Sequence, residues 1–192
     1  MKLLEEKIRQ EGRVLPGNIL KVDHFINHMI DPEIVTAMGE DFYQHFKDQG
    51  INKILTLEVS GIPMAFAAAQ FLKVPVLFAK KISSLTLGED VYASRVTSYT
   101  KKKTYDIMVD RHYLTAEDRV LIIDDFLARG EALNGLLDLC QQAGAEVVGV
   151  GIGIEKAFQE GGKKHRQAGI EIYSQARIAG FEGEQVIFVE ES

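Results

Sequence analysis

Two adjacent carboxylates, Asp124 and Asp125, directly follow the apolar run Val120 to Ile123 and precede a glycine-containing turn, Ala128-Arg129-Gly130-Glu131-Ala132. Carboxylates repel phosphate, but they accept hydrogen bonds from paired hydroxyls, such as the 2′ and 3′ hydroxyls of a ribose, and hold Mg²⁺ through water. The turn offers the complementary chemistry. Its backbone N–H groups, with the first turn of a following helix, form a cradle for a phosphate monoester. Hydroxyl-binding acids beside a phosphate cradle point to a ribose 5-phosphate. The plainer reading, two acids that merely cap the next helix, accounts for the aspartates alone.

The surrounding pattern supplies elements to position these groups. Val120 to Ile123 lacks polar alternation, as in a strand covered on both faces of a parallel sheet, and the acids sit at its carboxyl end, the edge where open α/β sheets bind ligands. Leu133, Leu136, Leu137, Cys140 and Ala143 then follow helical spacing, with Gly144 as the stop. Ile54 to Val59 reads as a second core strand and Gly61 to Leu72 as its helix. Right-handed crossovers put the intervening turn, with the backbone N–H groups of Ser60 and Gly61, on the same sheet edge. Val74 to Ala79 is a third strand, ending in Lys80 and Lys81, two cations suited to an anionic group at that edge. Residues 83 to 110 hold hydroxyl-rich and basic residues, with Ser94 to Thr100 and Tyr105 to Val109 as a two-stranded hairpin around K-K-K-T. An arm this poor in apolar residues is expected to be mobile and to close over a reaction that excludes water.

Glu146 to Ile154 is a further strand whose G-V-G-I-G is no dinucleotide fingerprint, because the glycines lie inside the strand and the spacing is wrong. Glu155 and Lys156 emerge at its carboxyl end. A polar helix or turn at Gly161 to Gly169 and strands at Ile170 to Ile178 and Val186 to Val189 close the chain. At the other end, residues 3 to 9 suggest an amphipathic helix, and the stretch from Ile19 to Ile30 fits neither period. Asp31-Pro32-Glu33 starts a helix with an inner stripe of Val35, Met38, Phe42 and either His45 or Phe46.

The 192 residues, 46% of them hydrophobic, suffice for one well-buried domain. The expected fold is α/β: a single domain, residues 1 to 192, with a mainly parallel sheet flanked by helices, a small hood from residues 1 to 50 and the arm at about 83 to 110. A net charge of -6, from 22 basic and 28 acidic residues, speaks against broad binding to nucleic acid and for small-molecule partners. The single cysteine, Cys140, excludes an intrachain disulfide. The N-terminal acids disfavour a signal peptide, and no run approaches membrane-spanning length. The expected location is cytoplasmic, with no membrane partner.

The stretch V-L-I-I-D-D-F-L-A-R-G-E-A resembles the phosphoribosyl-diphosphate motif of the type I phosphoribosyltransferases, which usually ends in a small residue, Thr, Gly, Gly, then Ser or Thr. Arg129, Glu131 and Ala132 depart from that ending, leaving backbone groups rather than hydroxyls as the cradle. With the rest of the chain, the A-R-G-E-A variant resembles the bacterial xanthine phosphoribosyltransferases over essentially all 192 residues. That resemblance implies transfer of ribose 5-phosphate from 5-phosphoribosyl 1-diphosphate to N9 of xanthine, in purine salvage, by a homodimer using Mg²⁺ bound mainly through the diphosphate. It implies catalytic roles for Asp124 and Asp125 and phosphoribosyl-diphosphate contacts at residues 128 to 132, Ser60, Gly61, Lys80 and Lys81. It also places Leu20, Asn27 and Lys156 at the base, and no protein-only metal site. The rivals are a hypoxanthine or guanine enzyme and a non-enzymatic DNA-binding sensor of phosphoribosyl diphosphate. The latter lacks a basic reading module in residues 1 to 50.

Overall fold

The computed structural model describes residues 1–82, 90–98 and 103–190. In chain order they form α1 (Lys2–Glu11), β1 (Arg13–Leu15), β2 (Ile19–Lys21), a π-helical turn (Asp23–Asn27), α2 (Pro32–Phe46), β3 (Lys53–Leu57), α3 (Ile62–Leu72) and β4 (Val76–Ile82). The hairpin β5 (Val91–Ser98) and β6 (Lys103–Asp110) follows. The chain closes with β7 (Arg119–Leu127), α4 (Glu131–Ala143), β8 (Glu146–Lys156), α5 (Glu160–Gln167), β9 (Ile172–Glu182) and β10 (Gln185–Phe188).

One eight-stranded sheet has the order β10-β9-β8-β7-β3-β4-β6-β5. The strands from β9 to β4 pair in parallel, while β10, β6 and β5 extend the edges antiparallel. The α/β class with a mainly parallel sheet is therefore as expected. Strand β7 lies between β3 and β8, and Val120 to Ile123 are wholly shielded from solvent. One face packs against α1, α2 and α3 through residues such as Phe42, Phe46, Met64 and Ile123. The other packs against α4 through Leu133, Leu136, Leu139 and Cys140.

Helix α2 starts where the sequence places it, with Asp31 Oδ1 accepting from the backbone N–H of Glu33 at 3.0 Å and of Ile34 at 3.4 Å. Phe46, not His45, completes the buried stripe. The G-V-G-I-G stretch now has a steric reason. Gly149 and Gly151 face Phe46 and Phe42, and a Cβ on either would come within 2.6 and 2.8 Å of those rings. The glycines thus form a groove that receives the aromatic face of α2.

Several boundaries differ from the sequence expectation. Strand β7 runs on through both aspartates to Leu127, because it stays paired with β8 as far as Glu155. The acids therefore lie within the second half of the strand rather than beyond it. Strand β4 continues through Lys80 and Lys81, which pair with Met108 and Ile107 of β6. Helix α2, counted above with the hood, packs instead as part of the sheet's covering layer, against α3 and β8. The small sheet β1–β2 and the π-helical turn make up what stands over the edge. The hairpin forms, but its inner face is apolar: Val96, Ile107 and Val109 are buried in the α4-side core. The first part of the arm and the tip lysines Lys101 and Lys102 lie outside the described residues.

Gly151→Ala is expected to lower stability by about 1–3 kcal/mol through overpacking against Phe42. The check is a urea midpoint that falls at constant slope; an unmoved midpoint would mean that the ring simply yields.

Candidate active site

The carboxyl edge of the sheet holds a cleft of about 950 Å³, with Asp124, Asp125, Phe126 and Leu127 of β7 in its lining. Leu57, Glu58 and Ser60 after β3, Lys81 of β4, Tyr105 of the hairpin, and residues 128 to 133 of the turn before and into α4 line it too. The hood contributes Gly17, Ile19, Leu20 and Asn27. Of the residues singled out from sequence, the two aspartates, Ala128, Arg129, Gly130, Glu131, Ala132, Ser60, Lys81, Leu20 and Asn27 share this cleft.

Asp124 is 6% exposed, and its Oδ1 accepts the Asp125 backbone N–H at 3.0 Å. Burial pushes the Asp124 carboxyl well above the ordinary carboxylate range, and the neighbouring Asp125 charge adds to this; Lys81 offsets it only in part. Burial raises Asp125 as well. Such a pair is poised for hydroxyls or a cation.

Gly130 caps α4 with φ at +87°, a conformation that suits glycine. It turns the chain into α4, whose first residues Glu131, Ala132 and Leu133 line the cleft. Glu131 is the first residue of α4, where a carboxylate complements the helix's positive end. On the neighbouring turn, Glu58 Oε1 accepts the backbone N–H of Lys81 at 2.6 Å, and the Glu58–Val59 peptide is cis. Gly61 sits behind Ser60, with no room for a side chain against Thr56. The Lys81 ammonium lies 5.4 Å from the centroid of the Tyr105 ring.

Besides Gly61, two expected members stand apart from the lining. Lys80 does not line the cleft, since consecutive strand residues point to opposite faces; the cation pair supplies one cation there, not two. Lys156 also falls outside the lining, because its ammonium donates to the backbone carbonyl of Asn18 in the hood turn at 3.0 Å. Burial lowers the pKa of that ammonium. Beside it, Glu155 is held between Arg166, at 2.7 and 2.8 Å, and Arg177, at 3.2 Å. Burial alone would push the Glu155 carboxyl up, but these partners and Ser174 bring it below the usual range.

Sequence reasoning passed over Glu58, Tyr105 and Gln159, all in the lining. Gln159 was open to detection as the polar residue three positions after Lys156. Tyr105 was not, since only strand pairing carries it to the edge. Cys140 is buried with its thiol pushed up to about 12, in keeping with core packing.

A cleft with paired acids on one strand and a helix N-terminus beside them suits a small phosphorylated ligand that carries hydroxyls. Residues 29–180 match the phosphoribosyl transferase domain. The chain is 56% identical to the xanthine phosphoribosyltransferase of Finegoldia magna over 188 residues, 98% of this chain and 99% of that one. It is 53% identical to the xanthine phosphoribosyltransferase of Listeria monocytogenes serotype 4b over 191 residues, the full length of both. The crystal structure of adenine phosphoribosyltransferase from Rhodothermus marinus shares the fold, with a TM-score of 0.74 and 23% identity over 93% of this chain and 100% of that one. The chain belongs to the phosphoribosyltransferase family, and it is an enzyme.

Replacing both acids, Asp124→Asn with Asp125→Asn, is expected to cut turnover by at least ~10²-fold, the usual worth of oriented electrostatic groups at a transition state. Because the folded protein raises these pKa values, the acids cost stability as pH climbs from the ordinary carboxylate range through the raised values. Amides cannot ionise, so at neutral pH the variant should melt at or above the parent's temperature. Full activity in a folded variant would reduce the pair to a structural feature.

Proposed function

We infer that the enzyme transfers a 5-phosphoribosyl group from 5-phospho-α-D-ribose 1-diphosphate to N9 of xanthine, forming xanthosine 5′-monophosphate and diphosphate in purine salvage. The observation that carries this reading is the full-length similarity, above half identity, to relatives named for that reaction. The cleft supports it. Asp124 and Asp125 accept the ribose 2′ and 3′ hydroxyls and lie near C1 as it gains positive charge, while the N-terminal N–H groups of residues 128 to 132 hold the 5′-phosphate. The backbone at Ser60 and Gly61, with Lys81, faces the diphosphate. The C1–oxygen bond to diphosphate breaks as the bond from N9 forms, and the N9 proton of the base passes to the departing diphosphate or to water; no covalent intermediate with a side chain is required.

The donor set fits Mg²⁺ held through the substrate. The aspartates offer hard oxygens, yet among the described residues no three His, Cys, Asp or Glu side chains converge on one point. Diphosphate and water would supply most of the ligands. When bound, the ion neutralises charge on the departing diphosphate. Leu20 and Asn27 form the hood side of the base pocket, one apolar and one able to donate and accept. Lys156 meets a purine oxo group once released from Asn18. A homodimer and a cytoplasmic location complete the proposal; among the described residues no helix is long and apolar enough to cross a membrane.

Turnover of xanthine, guanine, hypoxanthine and adenine in parallel, with and without Mg²⁺, tests the assignment. Xanthine should give the highest kcat/KM, and a preference for guanine or hypoxanthine would overturn it. Lys156→Ala should lower kcat/KM for xanthine by about 10-fold, the scale of one net hydrogen bond, and leave phosphoribosyl-diphosphate affinity nearly unchanged. A loss of phosphoribosyl-diphosphate binding instead would move Lys156 to the phosphate site.

The hairpin is proposed to close over the reacting groups. Amide exchange in β5 and β6 should slow when diphosphate and a base analogue bind; identical protection in free and bound enzyme would refute closure.

A further inference from the structure

Packed against the phosphate turn stands a buried imidazole that the reaction scheme does not use. His165 of α5 is 4% exposed. Its Nδ1 lies 2.7 Å from the carbonyl oxygen of Gly161, and its Nε2 lies 2.9 Å from Asn134 Oδ1 on the first turn of α4. The ring also abuts the turn itself: a Cβ on Gly130 would come within 2.6 Å of His165 Cε1. Gly161 completes the junction. Its backbone N–H donates to the Ala128 carbonyl at 3.1 Å, and a Cβ there would come within 2.4 Å of that oxygen and 2.7 Å of the Gly130 nitrogen. Turn, α4 and α5 therefore meet in backbone contact around one ring.

We propose that His165 is a positioning residue for the 5′-phosphate: through Gly161 and Asn134 it fixes the Ala128–Gly130 backbone so that the N–H groups opening α4 stay aimed at the phosphate. The physical need is plain. A turn with Gly130 at positive φ has many accessible conformations when free, and an anion cradle made of main-chain donors works only if they are oriented before the ligand arrives. The aspartates gain rigidity from being inside β7. The turn, outside any strand, has none of its own and takes it from α5. The Nδ1 contact defines the ring's chemistry, since a carbonyl can only accept and Nδ1 must carry the proton. Nε2 of the neutral ring is then an acceptor, so the Asn134 side-chain amide turns its NH₂ group to it and ties the same ring to the helix whose first turn forms the cradle. His165 touches no substrate in this scheme.

The inference rests on the reading of residues 128 to 132 as the phosphate cradle, and the experiment separates the two. Ribose 5-phosphate is titrated calorimetrically against the parent, His165→Leu, His165→Gln, Asn134→Ala and Gly130→Ala, with KM for each substrate and melting temperatures measured alongside. His165→Leu and Asn134→Ala should each weaken ribose 5-phosphate binding and raise KM for phosphoribosyl diphosphate about 10-fold, the scale of a lost hydrogen bond. KM for xanthine should stay within about twofold. The double variant should be little worse than His165→Leu alone, since both remove one junction, and His165→Gln, which retains a donor, should recover part of the loss. Equal rises in both KM values, or unchanged phosphate affinity in folded variants, would overturn the proposal. Should His165→Leu not fold, unchanged affinity in Asn134→Ala and His165→Gln would do so equally. If Gly130→Ala leaves ribose 5-phosphate affinity intact, the cradle reading itself fails; if it weakens binding while the His165 and Asn134 variants do not, only the role of His165 falls.

Discussion

Placing two neighbouring carboxylates, Asp124 buried and Asp125 partly so, within a central strand of the sheet is the constraint to which the rest of this enzyme answers. Withdrawing a carboxylate from water costs several kcal/mol unless a proton, a cation or hydrogen-bond donors compensate. At the pair β7 is still in register with β8, Asp124 opposite Ile152 and Phe126 opposite Ile154, which restrains the backbone from moving to relieve it. Relief comes in part from Lys81, and the remainder is left to a ligand. On the proposed reading, a sugar presenting two hydroxyls would satisfy the acids in a way that water in an open cleft does only loosely. The unfavourable free state is thus part of the selectivity for the bound one.

The scaffold achieves that rigidity by close approach rather than by bulk. Phenylalanines of α2 settle onto a strand stripped of side chains at Gly149 and Gly151, and Gly39 of α2 lies against Ala67 and Ala68 of α3, where a Cβ would come within 2.5 Å of the Ala67 carbonyl carbon. The alanine-rich sequence of α3 follows from this packing. Lys53 joins Asp118 at 2.7 Å, linking β3 to the segment leading into β7. Burial would raise the Asp118 carboxyl, but Lys53 and Thr115 hold it below its usual range. Two of the strands that carry cleft residues, β3 and β7, are therefore tied together at the end of the sheet opposite the site.

Much of this was written in local pattern. Apolar runs marked β3 and β7, the Asp31-Pro32-Glu33 signal started α2, and Gly144 ended α4 in the left-handed conformation. The acidic pair and its turn were legible because their spacing carries chemistry. Strand ends were not: charged residues such as Lys80, Lys81, Asp124 and Lys156 read as exits, whereas pairing with a neighbour continues the strand beneath them. The arm misled for a related reason. Its composition is polar on average, but alternation gives it one apolar face, and averages hide alternation. His165 left no local mark at all, since its helix is otherwise polar and only the fold brings it to Gly130.

If Lys156 meets the base as proposed, its contact with the Asn18 carbonyl turns base recognition into a swap. In the resting enzyme the ammonium already holds an acceptor, so an arriving purine must replace one oxygen by another, and the number of hydrogen bonds is conserved. Binding strength then gains no more than about one net hydrogen bond from this lysine, because one acceptor is exchanged for another. Discrimination gains much more. A base presenting an amino group at that position has no oxygen to exchange, and would either strand a half-buried cation or leave the hood turn in place. Lys156 would in this way act less as an anchor than as a gatekeeper, admitting a base only when it can release the turn that Gly17 and Asn18 make in the left-handed conformation.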